Sequence, residues 1–116
     1  LKAEGYRCHL CSNGFHEVQY KKLNASKLME FFDTIILSED AGANKPSAAY
    51  FQYAFQQSGA KPEITLMIGD NFVTDIQGAQ AAGLDVMFFN AHPQDFTAPE
   101  PVNYEVNTLA EIMHIL

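Results

Sequence analysis

Residues 65–75 read TLMIGDNFVTD, and this stretch decides which fold the chain can adopt. The apolar run at residues 64–68 predicts a buried β-strand, because it is short, nearly continuous and followed by a glycine. Asp70 stands at the carboxyl end of that strand, and Asp75 lies near the start of a predicted helix that continues through Ala82. A buried carboxylate requires a partner or a metal, so Asp70 is the first candidate for a functional residue.

The same alternation of strand and helix runs along the rest of the chain. Strands are predicted at residues 6–11, 34–37, 64–68 and 85–89. Further helices are predicted at residues 15–32 (broken near 24–26), 47–58 and 107–116, with a proline-containing loop at 92–101. Apolar strands that alternate with helices indicate a doubly wound α/β fold with a parallel sheet covered on both faces. In such a sheet the ligand site lies at the carboxyl ends of the strands.

Two of the helices have a predicted apolar face. In the helix at 47–58 this face consists of Ala48, Phe51 and Phe55. Asn107 or Thr108 caps the last helix, and its predicted buried residues are Leu109, Ile112, Met113 and Leu116.

Composition narrows the classes of function. The chain has 116 residues, 47% of them hydrophobic, which indicates one globular domain. Its net charge of −7 argues against nucleic-acid polymers or anionic membranes as partners, since both favour a basic face. No apolar run is long enough for a membrane span, and two cysteines are too few for a disulfide scaffold. We therefore expect a cytoplasmic protein.

The first five residues, LKAEG, read as the last turn of a helix that ends at a glycine. A single turn does not persist alone, so we expect this chain to be the C-terminal part of a longer protein.

Polar residues also follow the first two predicted strands. Ser12, Asn13 and Gly14 offer donors for an anion at a helix N-terminus, although the same residues are common in ordinary capping turns. Pro46 restricts Lys45 to extended geometry, which could aim its ammonium across the strand ends; a lone loop lysine is otherwise solvated surface.

The spacing of Asp70 and Asp75 suits a hard cation such as Mg²⁺, which takes one or two carboxylates together with water and phosphate oxygens. Capping of the first helical turn is the alternative interpretation of Asp75. Cys8 and Cys11 have the spacing of zinc and redox sites, but residues three apart on a strand point to opposite faces. We therefore predict that the two cysteines form neither a metal site nor a mutual disulfide.

Taken in order, these pieces resemble the haloacid dehalogenase superfamily of aspartate-nucleophile hydrolases. Residues 12–14 match its second motif, Lys45-Pro46 its third, and residues 69–83 its fourth, which is the most specific. Asn13-Gly14-Phe15 and Asn90-Ala91-His92, with Gln19 and Glu39, are most similar to the small phosphatases of nucleoside 5′-monophosphates. Sugar-phosphate and acylneuraminate-phosphate phosphatases are also similar.

For the intact protein, the resemblance implies Mg²⁺-dependent hydrolysis of a small phosphorylated metabolite through an aspartyl-phosphate. It implies catalytic roles for Lys45 and Asp70, and a metal site formed by Asp70 with Asp75. The implied residues of the phosphate site are Ser12, Asn13, Gly14 and Lys45.

One departure from the family pattern is clear: these 116 residues contain no Asp-x-Asp segment, the first motif that supplies the nucleophile. We expect residues 1–116 to be the C-terminal part of a core domain whose first motif and cap precede Leu1, and we expect this chain alone to be inactive. The alternatives are a non-catalytic binding domain of the same fold, a phospho-receiver domain and a metal-independent dehalogenase. A phospho-receiver fits poorly, because its first strand ends in acidic residues.

Overall fold

The computed structural model describes residues 6–13 and 32–116, without the side chain of Met113. The terminal turn at 1–5, Gly14 and residues 15–31 of the predicted helix at 15–32 lie outside the described residues. The chain forms two compact units, Leu1–Ala60 and Lys61–Leu116. Strands in both units pair in parallel and alternate with helices, which confirms the α/β class.

The first unit contains a parallel pair of strands, β1 (His9–Ser12) and β2 (Thr34–Leu37). The register places His9 opposite Thr34 and Ser12 opposite Leu37. β2 has the predicted bounds, whereas β1 begins three residues later than predicted and extends to Ser12. The ladder pairs the four residues of β2 with His9–Ser12, so the polar Ser12 forms the strand end.

Two helices follow β2: α1 (Ser38–Ala41) and α2 (Ala48–Ser58). The Ser47 hydroxyl caps α2 by accepting a hydrogen bond from the Ala49 N–H at 3.2 Å. The buried face of α2 consists of Tyr50, Phe51 and Ala54. The predicted stripe was therefore wrong at Ala48, which is exposed, and at Phe55, which is half-buried. Tyr50 is buried instead of these two residues. Its hydroxyl donates a hydrogen bond to the Ile36 carbonyl at 2.8 Å, and this bond joins α2 to β2.

The second unit contains three parallel strands in the order β3 (Leu66–Gly69), β4 (Asp85–Phe89), β5 (Tyr104–Val106). β4 has the predicted bounds, and its Val86, Met87 and Phe88 belong to the core. β3 begins later than predicted, because Pro62–Ile64 forms a 3₁₀ turn and leaves Ile64 80% exposed. The sequence analysis missed β5, a three-residue strand with two exposed residues.

The connection after β3 is a π-helical segment (Phe72–Gln77) followed by α3 (Gly78–Ala81). The predicted loop at 92–101 is confirmed. The last helix, α4 (Leu109–Ile115), is capped by Thr108, whose hydroxyl accepts from the Glu111 N–H at 3.3 Å. The prediction that Leu109 is buried was wrong: it opens the helix and is 72% exposed. None of the helices described is long and apolar enough to cross a bilayer.

Candidate functional site

Lys45 is a buried lysine held at the carboxyl end of β1. Its side chain is only 8% exposed, and its ammonium donates to the Cys11 carbonyl at 3.1 Å. The Asn13 side chain binds the lysine's backbone twice: its Oδ1 accepts from the Lys45 N–H at 2.8 Å, and its Nδ2 donates to the Lys45 carbonyl at 3.2 Å. The loop lysine is therefore a fixed cation rather than a solvated one.

The structure thus brings together two of the predicted phosphate-site segments, residues 12–13 and Lys45. Ser12 is the last residue of β1 and is half-buried. The sequence analysis missed the side-chain role of Asn13, which anchors Lys45 across 32 residues of sequence. Its only local signal is an amide directly after a strand, and this signal does not identify a partner so distant in sequence.

The two candidate metal carboxylates lie in the second unit and differ in burial. Asp70 directly follows β3 and is exposed, whereas Asp75 is 7% exposed. The expectation that Asp70 is the buried carboxylate was therefore wrong. β3 lies at one end of the β3–β4–β5 order and is itself only partly buried, so its carboxyl end reaches solvent.

Asp75 folds back toward the end of β3. Its Oδ2 accepts from the Asn71 N–H at 3.4 Å, and the Thr74 hydroxyl lies 3.5 Å from its Oδ1. The Asn71 side chain accepts from the N–H groups of Val73 and Thr74, each at 3.1 Å, and so caps the π-helical segment. Residues 71–75 therefore form one hydrogen-bonded turn directly after Asp70.

Gly69 permits this close approach. A Cβ at Gly69 would lie 2.5 Å from both the Cβ and the Oδ2 of Asp75, a separation that no side chain tolerates. The glycine before Asp70 is therefore required because the Asp75 carboxyl occupies the space beside the backbone.

We call residues 70–75 the carboxylate turn. Its donors, the carboxylates of Asp70 and Asp75, fit Mg²⁺. Both candidates are hard carboxylate oxygens, and one of them is open to solvent, where water and a phosphate oxygen can complete an octahedral shell. Within residues 6–13 and 32–116, no group of three or more His, Cys, Asp or Glu side chains could form an all-protein metal cage. Mg²⁺ does not require such a cage.

Cys8 and Cys11 are not joined in a disulfide. Cys11 lies on β1, whereas Cys8 precedes the strand and bonds through its backbone to Asp33. The premise that both cysteines lie on the strand was wrong, because β1 begins at His9. That they form neither a metal site nor a mutual disulfide stays a prediction.

His9 on β1 has a buried Nδ1 for which no hydrogen-bond partner is found in the described part of the chain. Burial lowers the pKa of His9 below its usual value; the Asp33 charge opposes this shift and the Arg7 charge adds to it.

Comparison with known proteins gives one family. Residues 1–89 match the family described as haloacid dehalogenase-like hydrolase. The chain is 41% identical over 110 residues to the HAD-hydrolase YfnB of Bacillus subtilis, covering 93% of this chain and 46% of YfnB. A magnesium-bound crystal structure of YfnB superposes with a TM-score of 0.84 at 39% identity, over 95% of this chain and 48% of that one.

Two named phosphatases are also similar. The glyceraldehyde 3-phosphate phosphatase of Methanothermobacter thermautotrophicus is 36% identical over 94% of this chain and 47% of its own length. The pyrimidine 5′-nucleotidase PynA of Streptococcus pneumoniae is 34% identical over 96% of this chain and 47% of its own. The chain thus spans about half the length of the curated relatives it matches.

Proposed function

Because this chain belongs to the haloacid dehalogenase-like hydrolases, we propose that the complete protein is a Mg²⁺-dependent phosphatase of a small phosphate monoester. By the complete protein we mean this chain together with an upstream segment that carries the first motif. The names of its relatives favour a pyrimidine nucleoside 5′-monophosphate or a triose phosphate as the substrate.

The observation that carries this proposal is the carboxylate turn. Two carboxylates from one capped turn, one exposed and one buried, suit a metal held between protein and phosphate. We assign Asp70 as the direct ligand because it is the exposed group. We assign Asp75 to the support of the metal shell, because it is buried and accepts from the backbone of the same turn.

Lys45 and the end of β1 form the proposed phosphate side of the site. The Lys45 ammonium would offset the negative charge of the phosphate, and Ser12, Asn13 and Gly14 would supply the remaining donors. The anchoring of Lys45 by Asn13 and Cys11 supports this role, because a positioned cation needs no reorganisation when charge develops in the transition state.

The proposed reaction has two steps. An aspartate of the Asp-x-Asp motif attacks phosphorus, the ester P–O bond breaks, and the alcohol leaves with a proton from the acid/base group. Water then attacks the aspartyl-phosphate, which releases inorganic phosphate and restores the carboxylate. When bound, Mg²⁺ supplies charge neutralisation at the phosphate oxygens, and positioning by this chain's residues supplies the rest.

Three matched variants of the complete protein test the assignment. We expect Asp70→Asn to lower kcat/KM for phosphate release by at least about a hundredfold, since it loses a direct ligand. Asp75→Asn is expected to lose roughly ten- to hundredfold, as is usual for groups that support a metal shell. Asp85→Asn, at the exposed start of β4, serves as the control and should change kcat/KM by less than about twofold.

Full activity of Asp70→Asn would contradict the metal assignment. Equal losses in Asp70→Asn and Asp85→Asn would show that the change reflects general loss of charge rather than loss of a ligand.

A further inference from the structure

Residues 91–103 connect β4 to β5, and we call them the strap. Hydrogen bonds of Asn90 hold the strap at its start. The Asn90 side chain is 5% exposed, and its Nδ2 donates to the Phe96 carbonyl at 2.8 Å and to Glu105 at 3.3 Å. Its backbone N–H donates to the Val106 carbonyl at 2.7 Å. Asn90 thus bonds two partners through its side-chain amide and a third through its backbone N–H, which fixes where the strap begins.

Phe96, in the middle of the strap, completes an aromatic cluster. Its ring centroid lies 5.6 Å from that of Phe88 on β4 and 6.1 Å from that of Phe72. Phe72 and Phe88 contact each other edge-to-face at 5.2 Å, and both are buried, whereas Phe96 is 44% exposed. Phe96 therefore covers Phe72, the first residue of the π-helical segment.

The far end of the strap binds the residues that follow Asp75. Gln77 donates to the Glu100 carboxylate at 3.3 Å, and Gln80 donates to the Pro101 carbonyl at 3.0 Å. The strap thus contacts the chain on both sides of Asp75, through Phe72 before it and the two glutamines after it.

We propose that the strap positions the carboxylate turn and that Phe96 is its principal positioning residue. This inference rests on the proposed function. Phe72 directly follows Asn71, whose N–H donates to Asp75, so a shift of the Phe72 ring moves the groups that hold the buried carboxylate. The π-helix is rare and occurs mostly as a single turn, frequently at functional sites, which fits a turn that carries a candidate metal ligand.

The test is the dissociation constant of Mg²⁺, measured by isothermal titration calorimetry on the complete protein. Phe96→Ala should raise it about tenfold or more, the usual cost of losing support around a ligand, while activity at saturating Mg²⁺ is largely kept. Phe96→Leu, which keeps an apolar cover, should restore most of the affinity. Tyr104→Ala is the matched control, because Tyr104 is an aromatic of the same unit with 42% exposure, and it should leave the constant unchanged.

Gln80→Ala is the second route to the test if Phe96→Ala does not fold. It removes one of the two glutamine anchors without touching the rings and should also raise the dissociation constant. Unchanged Mg²⁺ affinity in both variants, or an equal loss in Tyr104→Ala, would overturn the positioning role and leave the proposed function standing. A wild-type protein that neither binds Mg²⁺ nor releases phosphate would overturn the proposed function, and this inference with it.

Discussion

At the scale of single residues, Lys45 shows how a polar group gains a defined role from distant partners. A lysine ammonium is strongly hydrated, and its burial is tolerated because it donates to the Cys11 carbonyl and because Asn13 fixes the surrounding backbone. The sequence shows only a lysine before a proline. The anchor lies 32 residues away and could not be identified by local pattern.

We expect Lys45→Ala to lower kcat/KM of the complete protein by about a hundred- to thousandfold, as for the removal of one positioned donor from a transition-state site. Lys61→Ala is the control, because Lys61 is an exposed lysine of the turn before β3. Phosphate-release kinetics check the pair. Equal rates of phosphate release in the two variants would contradict the assignment of Lys45 to the phosphate site.

His9 gives a prediction for stability against pH. Its pKa is lower in the folded protein than in the unfolded chain, where it is about 6.5, so the unfolded chain takes up the proton first as the pH falls. The His9 contribution therefore favours the folded state fully above pH of about 6.5 and is lost as the pH falls from there through the lower folded pKa.

Urea denaturation between pH 7.5 and pH 5 measures this effect. His9→Leu removes the titratable imidazole together with its buried Nδ1. The free energy of unfolding should therefore fall less on acidification than it does in the wild type. His92→Gln, at an exposed position of the strap, should keep the wild-type slope. An unchanged slope in His9→Leu would contradict the effect of burial on the His9 pKa.

At the scale of elements, the sequence predicted those parts that local pattern determines. β2 and β4 have the predicted bounds, because each is an apolar run set off by polar or turn residues. β5 was missed because its three residues, YEV, are too few to establish an alternating pattern; its pairing with β4 defines it. Leu109 was assigned to a buried face from its spacing, but spacing does not show that the first residue of a short helix lies outside the core.

The candidate site, like the fold, was predictable from local sequence pattern only in part. The candidate residues after the strand ends were predictable, because the carboxyl ends of parallel strands are where α/β folds bind ligands. That Asp70 is exposed and Asp75 is buried was not predictable from the sequence. It depends on the position of β3 in the strand order and on the approach of Asp75 to Gly69. The π-helical geometry of residues 72–77 likewise has no sequence signal distinct from that of an α-helix.

At the scale of the whole molecule, the acidic balance constrains the chemistry. The second unit has eight acidic residues and one lysine, whereas acidic and basic residues are equal in number in the first unit. Such a field attracts a divalent cation and repels a phosphate monoester. Under the proposed function, we expect substrate binding to depend on Lys45 and a bound Mg²⁺ rather than on the net charge of −7.

The measurement that tests the central claim most directly is phosphate release from a pyrimidine nucleoside 5′-monophosphate and from glyceraldehyde 3-phosphate, with EDTA and after Mg²⁺ is restored. The complete protein and the 116-residue chain are assayed side by side. We expect turnover of at least one substrate by the complete protein, loss of this turnover with EDTA and its recovery with Mg²⁺. We expect no turnover by the 116 residues, which lack an Asp-x-Asp nucleophile. Turnover that resists EDTA, or EDTA-sensitive turnover by the 116-residue chain alone, would contradict the central claim.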